Sequence, residues 1–333
     1  MENLHWLVPL ILVALAFDFL NGFHDAANSV ATVVGTRVLS PQFAVLWAAF
    51  FNLVGPAFFG THVAKTIGKG IVDIHIVTPE LVLAALLGAI FWNLLTWYYG
   101  IPSSSSHALV GGLVGAGVSV HGTSSLVWWG LGKTVLFIFV SPIVGFLLAS
   151  VMFVICAWAC RRKSPFRVDA IFRKLQIVSA ALYSIGHGTN DAQKTMGIIF
   201  MLLVSSGYLA KDAAMPFWVL AICSVAIALG TAFGGWRIVH TMAARLTRLK
   251  PFGGFCAESA AAMALYGASA FGIPVSTTHT ITGAITGVGN AHRRSSVRWG
   301  LAGNIVWAWV LTIPCSALVA AGVRLAVRSW LGH

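Results

Sequence analysis

Two short polar segments interrupt long apolar runs in this chain, and each is a version of the other. The first is Gly22-Phe23-His24-Asp25-Ala26-Ala27-Asn28-Ser29, and the second is Gly188-Thr189-Asn190-Asp191-Ala192-Gln193-Lys194-Thr195. A second matched pair follows. Gly100-Ile101-Pro102-Ser103-Ser104-Ser105-Ser106-His107 is answered by Gly272-Ile273-Pro274-Val275-Ser276-Thr277-Thr278-His279. Residue 190 follows residue 24 by 166 positions, and residue 272 follows residue 100 by 172. A short insertion accounts for the difference, so the chain is an internal duplication. Trp129-Gly130-Leu131 and Trp299-Gly300-Leu301 carry the match almost to the end.

Only 9% of the residues are charged and 58% are hydrophobic, against roughly 25% charged in soluble domains. Such a chain belongs in a bilayer. At ~20 apolar residues per span, its 333 residues allow on the order of ten crossings. The net charge of +12 does not point to nucleic acid, because the basic residues sit in short gaps between apolar runs, as the positive-inside bias places them. Five cysteines, without paired metal-ligand spacing, read as buried free thiols. No Lys or Arg precedes the first apolar run, which argues against a cleaved leader.

The first apolar segment meets its polar centre at Asn21–Asn28, and neither half alone reaches a spanning length, so one broken crossing is expected there. A second segment runs from Phe43 to Phe59 and a third from Leu81 to Tyr99. Ala108–Val120 is too short to span comfortably and reads as a re-entrant limb. The second half replays this order, with a broken helix from Leu175 to Leu202 around Gly186–Lys194. Between the halves lies a strongly basic stretch, residues 161–174, expected on the cytoplasmic side. The division is therefore repeat 1 over residues 1–160, a basic cytoplasmic linker over 161–174, and repeat 2 over 175–333. An odd number of crossings per half would flip the second repeat, and a parallel pair with even numbers is the alternative. The fold class expected is an all-α polytopic membrane protein, with two inverted-topology repeats, broken helices and re-entrant helical hairpins.

Asp25 and Asp191, paired by the duplication and flanked by amides, are carboxylates at membrane depth, where such groups face cavities, counter-charges or ion pathways. Asp18 and Glu258 also fall in apolar runs, without a matching acid in the other half. The two Gly-Ile-Pro-Ser-type elements place proline and hydroxyls where a helix opens. A helix N-terminus offers unpaired N–H groups and partial positive charge, which suits an oxyanion. Two of them, with hydroxyls from Ser103–Ser106 and Ser276–Thr278, would enclose a small tetrahedral anion. Gly111 and Gly115, matched by Gly283 and Gly287, read as close-packing positions, with His107 and His279 as polar packing residues. His24 stands where the second copy has Asn190, and its imidazole, which titrates near neutrality, suits a coupling proton. Carboxylates beside an anion site imply cotransport, in which cations or protons travel with the anion.

These duplicated motifs resemble the PiT inorganic phosphate transporters over almost the whole chain. The resemblance implies an inverted-repeat membrane fold with re-entrant hairpins that carries phosphate with a cation. It also implies a central site lined by Asp25, Asn28, Asn190, Asp191 and Gln193. Hydroxyls would come from Ser104, Ser105, Ser106, Ser276, Thr277 and Thr278. His24 in place of the commoner asparagine resembles the bacterial low-affinity, proton-coupled branch, whose members can carry phosphate as a neutral complex with a divalent metal. Import by proton symport is thus expected ahead of sodium symport, in the plasma or inner membrane. Expected partners are inorganic phosphate, membrane lipid and a second copy in a homodimer, with no nucleic acid, no resident cofactor and no enzymatic activity.

A sulfate permease of the same fold is the nearest alternative. Phosphate near neutral pH can donate a hydrogen bond to Asp25 or Asp191 and sulfate cannot. An intramembrane hydrolase built on Ser106 and His107 is disfavoured, because adjacent residues on a helix do not face each other. A passive channel would need no ion gradient.

Overall fold

The computed structural model describes residues 4–58 and 60–331. Residues 1–3, which the leader argument uses, and Phe59, the expected end of the second apolar segment, lie outside them. The described residues form twelve α-helices, two short runs of six, with no named strand among them. The first run is α1 (Leu4–Gly35), α2 (Pro41–Val54), α3 (His62–Gly70), α4 (Pro79–Tyr98), α5 (Ser105–His121) and α6 (Trp128–Cys160). The second is α7 (Pro165–Ser205), α8 (Phe217–Phe233), α9 (Trp236–His240), α10 (Pro251–Ala270), α11 (Thr277–His292) and α12 (Trp299–Leu331). A π-helical turn, Thr241–Leu246, continues α9.

Local chemistry opens these helices. Ser40, Thr78 and Ser164 accept from the N–H three residues on, each followed by a proline at the first helical position. Gly100 and Gly272 close α4 and α10 at φ of +65° and +63°, a backbone conformation that costs glycine no Cβ clash. Pro142 and Pro314 lie inside α6 and α12, 172 residues apart. The isolated bridges Val72–Leu126 and Thr247–Val297 also recur at matching places.

The halves are interleaved. Helix α5 packs on α12 and α11 packs on α6. A methyl group on Gly115 would sit 2.0 Å from the Ala317 carbonyl oxygen, and one on Gly287 would sit 2.3 Å from that of Phe146. The expected close-packing role of these glycines is therefore met across the halves. Thr66 of α3 donates to the Gly272 carbonyl and Thr241 to the Gly100 carbonyl, both at 2.8 Å. Helices α1 and α7 run side by side in opposite directions: Thr36 donates to Gln176 at 2.8 Å and Arg173 to the Arg37 carbonyl at 3.2 Å, while Asp25 lies by Asp191.

Four of the described helices are long and apolar enough to cross a membrane, or up to six if each bent pair counts as one span. The bends fall between α2 and α3, at 82°, and between α8 and α9, at 60°. Outer helices turn apolar side chains outward, such as Phe139, Ile143 and Leu147 of α6 and Val310, Leu311 and Leu318 of α12. The breaks expected within the first and seventh helices are not there. Helix α1 runs unbroken for 32 residues and α7 for 41. Their polar centres are buried inside protein, where neighbouring helices supply partners for many of the side chains and the backbone ladder is left intact. The opening residues of the expected linker, 161–164, form a turn, and 165–174 already belong to α7.

Candidate functional site

At the molecular centre α1 and α7 face the N-termini of α5 and α11. Helix α7 is buried on all sides from Gly186 to Leu203 although it carries a charged and amide-rich centre. Ser104 and Ser276 cap the two short helices, accepting from the N–H groups of His107 and His279 at 3.3 and 3.2 Å. The N–H groups of Ser105, Ser106, Thr277 and Thr278 have no intrahelical acceptor and keep the positive end of each dipole aimed at the centre.

The contacts that close on this point come in pairs related by the duplication. Ser105 donates to Asp25 at 3.4 Å and Thr277 donates to Asp191 at 3.1 Å. Asn28 donates to Thr278 at 2.9 Å and to Thr277 at 3.4 Å. Its counterpart in the second copy is Lys194, which donates to Ser106, to Asp191 and, at 3.3 Å, to the Val275 carbonyl. Each half thus reaches across to the hydroxyls of the other. Lys194 is 1% exposed, and its ammonium is paired with Asp191.

His24 donates through Nδ1 to Asp25 at 2.8 Å, and its Nε2 lies 3.1 Å from Thr96 and 3.4 Å from Ser103. Ser103 donates to Thr96 at 2.8 Å and Thr96 to the Trp92 carbonyl at 2.9 Å. His187, matched in the first copy by Asn21, adds a further ligand. Asn52 donates to Thr231 at 2.8 Å and Thr231 donates to the Ile227 carbonyl, which leaves the Asn52 oxygen facing His187 Nδ1 at 3.2 Å. That assigns the proton to Nδ1 and turns Nε2 toward Asp191 at 3.2 Å. Two acceptors facing each other require a cation or a proton between them. Ligand atoms of Asp25, His187 and Asp191 all lie within 4.8 Å of one another, a spacing that suits a small cation.

Asp25, Asn28, Asp191, Ser105, Ser106, Thr277 and Thr278 are brought together as expected from the sequence, with His24 beside them. Ser104 and Ser276 spend their oxygens on capping, one step behind. Asn190 is turned to α10, donating to Ser269 at 3.2 Å. Gln193 points elsewhere: it accepts from the N–H groups of Val63 and Ala64 at 2.9 and 3.2 Å and donates to the Gly60 carbonyl at 2.9 Å. It caps α3 and does not line the centre. His107 and His279 are packing residues, edge to face at 4.7 Å, with His279 stacked on Trp309 at 3.8 Å. The sequence pattern does not single out Lys194 and His187, though both lie on the face of α7 that carries Asp191, at i+3 and i−4.

Outward-facing apolar helices around a buried, charged and hydroxyl-rich centre are the build of a multi-pass membrane transporter. The model of the Phosphate transporter family matches residues 21–320, and the chain belongs to that family. It is 64% identical to a probable low-affinity inorganic phosphate transporter of Rhizobium meliloti (strain 1021), over 95% of this chain and 94% of that one. A protein of the same description from Bacillus subtilis (strain 168) is 44% identical, over 94% and 95%. A solved structure described as the sodium-dependent phosphate transporter superposes with a TM-score of 0.89 at 29% identity, covering 98% of this chain and 99% of that one. The family and these relatives transport phosphate and are not enzymes.

Proposed function

We propose that the chain imports inorganic phosphate by cation symport across the plasma membrane, with the proton as the coupling ion ahead of sodium. Phosphate enters together with a divalent metal, as a neutral complex. The observation that carries this reading is the juxtaposition of two helix N-termini with Asp25, His187, Asp191 and Lys194. The N-termini and the hydroxyls of Ser105, Ser106, Thr277 and Thr278 bind the tetrahedral anion, while Asp25, His187 and Asp191 hold its counter-cation. Moving both together lowers the cost of carrying charge through a low-dielectric region. His24, between Asp25 and two hydroxyls, takes the coupling proton. The sodium dependence named for the structural relative belongs to that protein, and His24, standing where the second copy has Asn190, supports protons here.

The halves, residues 1–160 and 175–333 joined by 161–174, act as inverted repeats. The antiparallel α1 and α7, and the paired contacts between halves, support that topology. Helices α4–α5 and α10–α11 then enter as re-entrant hairpins, each meeting the centre at its Gly-Ile-Pro-Ser turn. The basic residues Arg37, Arg161, Lys163, Arg248 and Lys250, which gather around two neighbouring grooves at one end, mark the cytoplasmic face.

Radiolabelled phosphate uptake into proteoliposomes tests this, with inward proton and sodium gradients imposed separately and magnesium present or absent. Proton-driven, magnesium-dependent uptake is expected. Uptake that follows sodium alone would overturn the coupling assignment, and uptake indifferent to magnesium would overturn the metal–phosphate cargo.

A further inference from the structure

A second polar group lies off the central site. Asp18 of α1 is fully buried, and neither carboxylate oxygen has a hydrogen-bond partner. Asn21, one turn on, is 1% exposed with both amide atoms unpartnered, and the Thr195 hydroxyl of α7 is unpartnered as well. Asp18, Asn21 and Asp25 fall at i, i+3 and i+7, one face of α1. Asp18 is therefore about 10 Å along the helix from Asp25. It lies toward the end of α1 where Trp6, Leu10, Pro79, Glu80 and Trp330 line a groove, away from the basic loops.

We propose that Asp18 is a proton-binding site separate from the central anion site, on the membrane side opposite the basic loops. A fully buried carboxylate whose nearest donors are one hydroxyl and one thiol, Thr195 and Cys223, and whose nearest cation is already paired with Asp191, is costly as an anion. A metal ion is a poor alternative. Among the described residues the grouping of three His, Cys, Asp or Glu ligands close enough for a metal is Asp25, His187 and Asp191, and Asp18 is not in it. Asn21 and Thr195 add too few oxygens to complete the shell of six or more that hard divalent ions take.

The groups facing Asp18 are few. Helix α7 brings Thr195, with Asp191 and Lys194 further off and already paired, and α8 brings the Cys223 thiol. Helix α4 contributes the neutral Asn93, also unpartnered, and α2 has no titratable residue. Arg237 of α9 is taken up by the Tyr98 carbonyl and the rings of Trp97 and Tyr98, and His240 of the same helix is exposed. In the second copy Ser184 occupies the matching position, so the site is single and stands outside the two-fold anion frame. In the cycle a carboxylate oxygen takes a proton from water, forming O–H, and returns it to water when the carrier has reopened. No bond of phosphate changes.

The proposal rests on proton coupling, so the test separates the two. Wild-type and Asp18→Asn proteins are reconstituted in parallel. Net phosphate uptake is driven by an inward proton gradient, and phosphate exchange is followed with equal pH on both sides. With His24 still carrying its proton, the asparagine variant should accumulate less phosphate than wild type at the same proton gradient and keep exchange, which needs no net proton movement. An infrared band of a neutral carboxyl, present in wild type, should disappear in the variant whatever its activity. Wild type driven only by sodium would refute the coupling reading. Proton-driven accumulation by Asp18→Asn at the wild-type level would refute the Asp18 site with that reading intact. Loss of exchange too, in Asp18→Asn and Asp18→Ser proteins that remain monodisperse, would make Asp18 part of the anion site and overturn a separate one.

Discussion

Replacing Lys194 with asparagine would give the second half the residue its copy carries at Asn28. In the present structure the ammonium is held by Asp191, Ser106 and the Val275 carbonyl. Asparagine is too short to reach all three. Asp191, fully buried, would keep only Thr277 and the unprotonated face of His187. Removing one partner of a buried ion pair costs roughly 3–5 kcal/mol, because it strands the other charge. That corresponds to a fall in melting temperature of about 5–10 °C in a chain of this size, measurable by tryptophan fluorescence of the purified protein. Lys194→Asn combined with Asp191→Asn removes the stranded charge and should recover most of that stability, while phosphate uptake stays lost. The double-mutant cycle therefore carries a coupling of on the order of 2–3 kcal/mol. A Lys194→Asn protein that melts with wild type, or a double variant whose loss equals the sum of the singles, would refute the pair as a fixed internal counter-charge.

Asn28→Ala removes the bridge to Thr277 and Thr278 and should raise the KM for phosphate about tenfold, the worth of roughly 1.4 kcal/mol in uptake kinetics. Gln193→Ala should lower the melting temperature through the lost cap on α3, a matter of about 1–3 kcal/mol, and leave KM unchanged; an altered KM would return Gln193 to the anion site. Gly115→Ala drives a methyl into the Ala317 carbonyl, with a Cβ only 2.0 Å away. It should cost about 1–3 kcal/mol in thermal unfolding, whereas Gly132→Ala, with nothing within 4 Å, should unfold like wild type.

The duplication made the two aspartates and the two capped helices legible before any coordinates, because a repeated polar break in apolar sequence is hard to explain as packing. The polar centres do not break the helices. Span length alone treats all of α1 and α7 as facing lipid, whereas their polar centres are enclosed by protein and can be polar without unwinding. Helical phase separates Gln193 from the residues beside it. Two positions from Asp191 is about 200° around a helix of 3.6 residues per turn, so Gln193 points away and Lys194 does not. His187 was hidden for another reason: its counterpart is Asn21, so no repeated histidine announced it. The tautomer that aims His187 at Asp191 is set by Asn52 and Thr231 on other helices, a relay that sequence spacing does not show.

The interleaving of α5 with α12 bears on how the chain is made. Helix α5 can settle on α4 early, through the close approach of Gly112 to the Ala85 carbonyl. Its other small-residue face, at Gly111 and Gly115, has no partner until Ile313 and Ala317 are synthesised, about two hundred residues later. At ~5–20 residues per second that wait is on the order of 10–40 s. Throughout it, the first half sits in the bilayer with a serine-capped, glycine-faced helix exposed to whatever lies beside the insertion machinery. The last helix therefore acts as a late clasp, and nascent chains truncated before it should be the ones that membrane quality control removes.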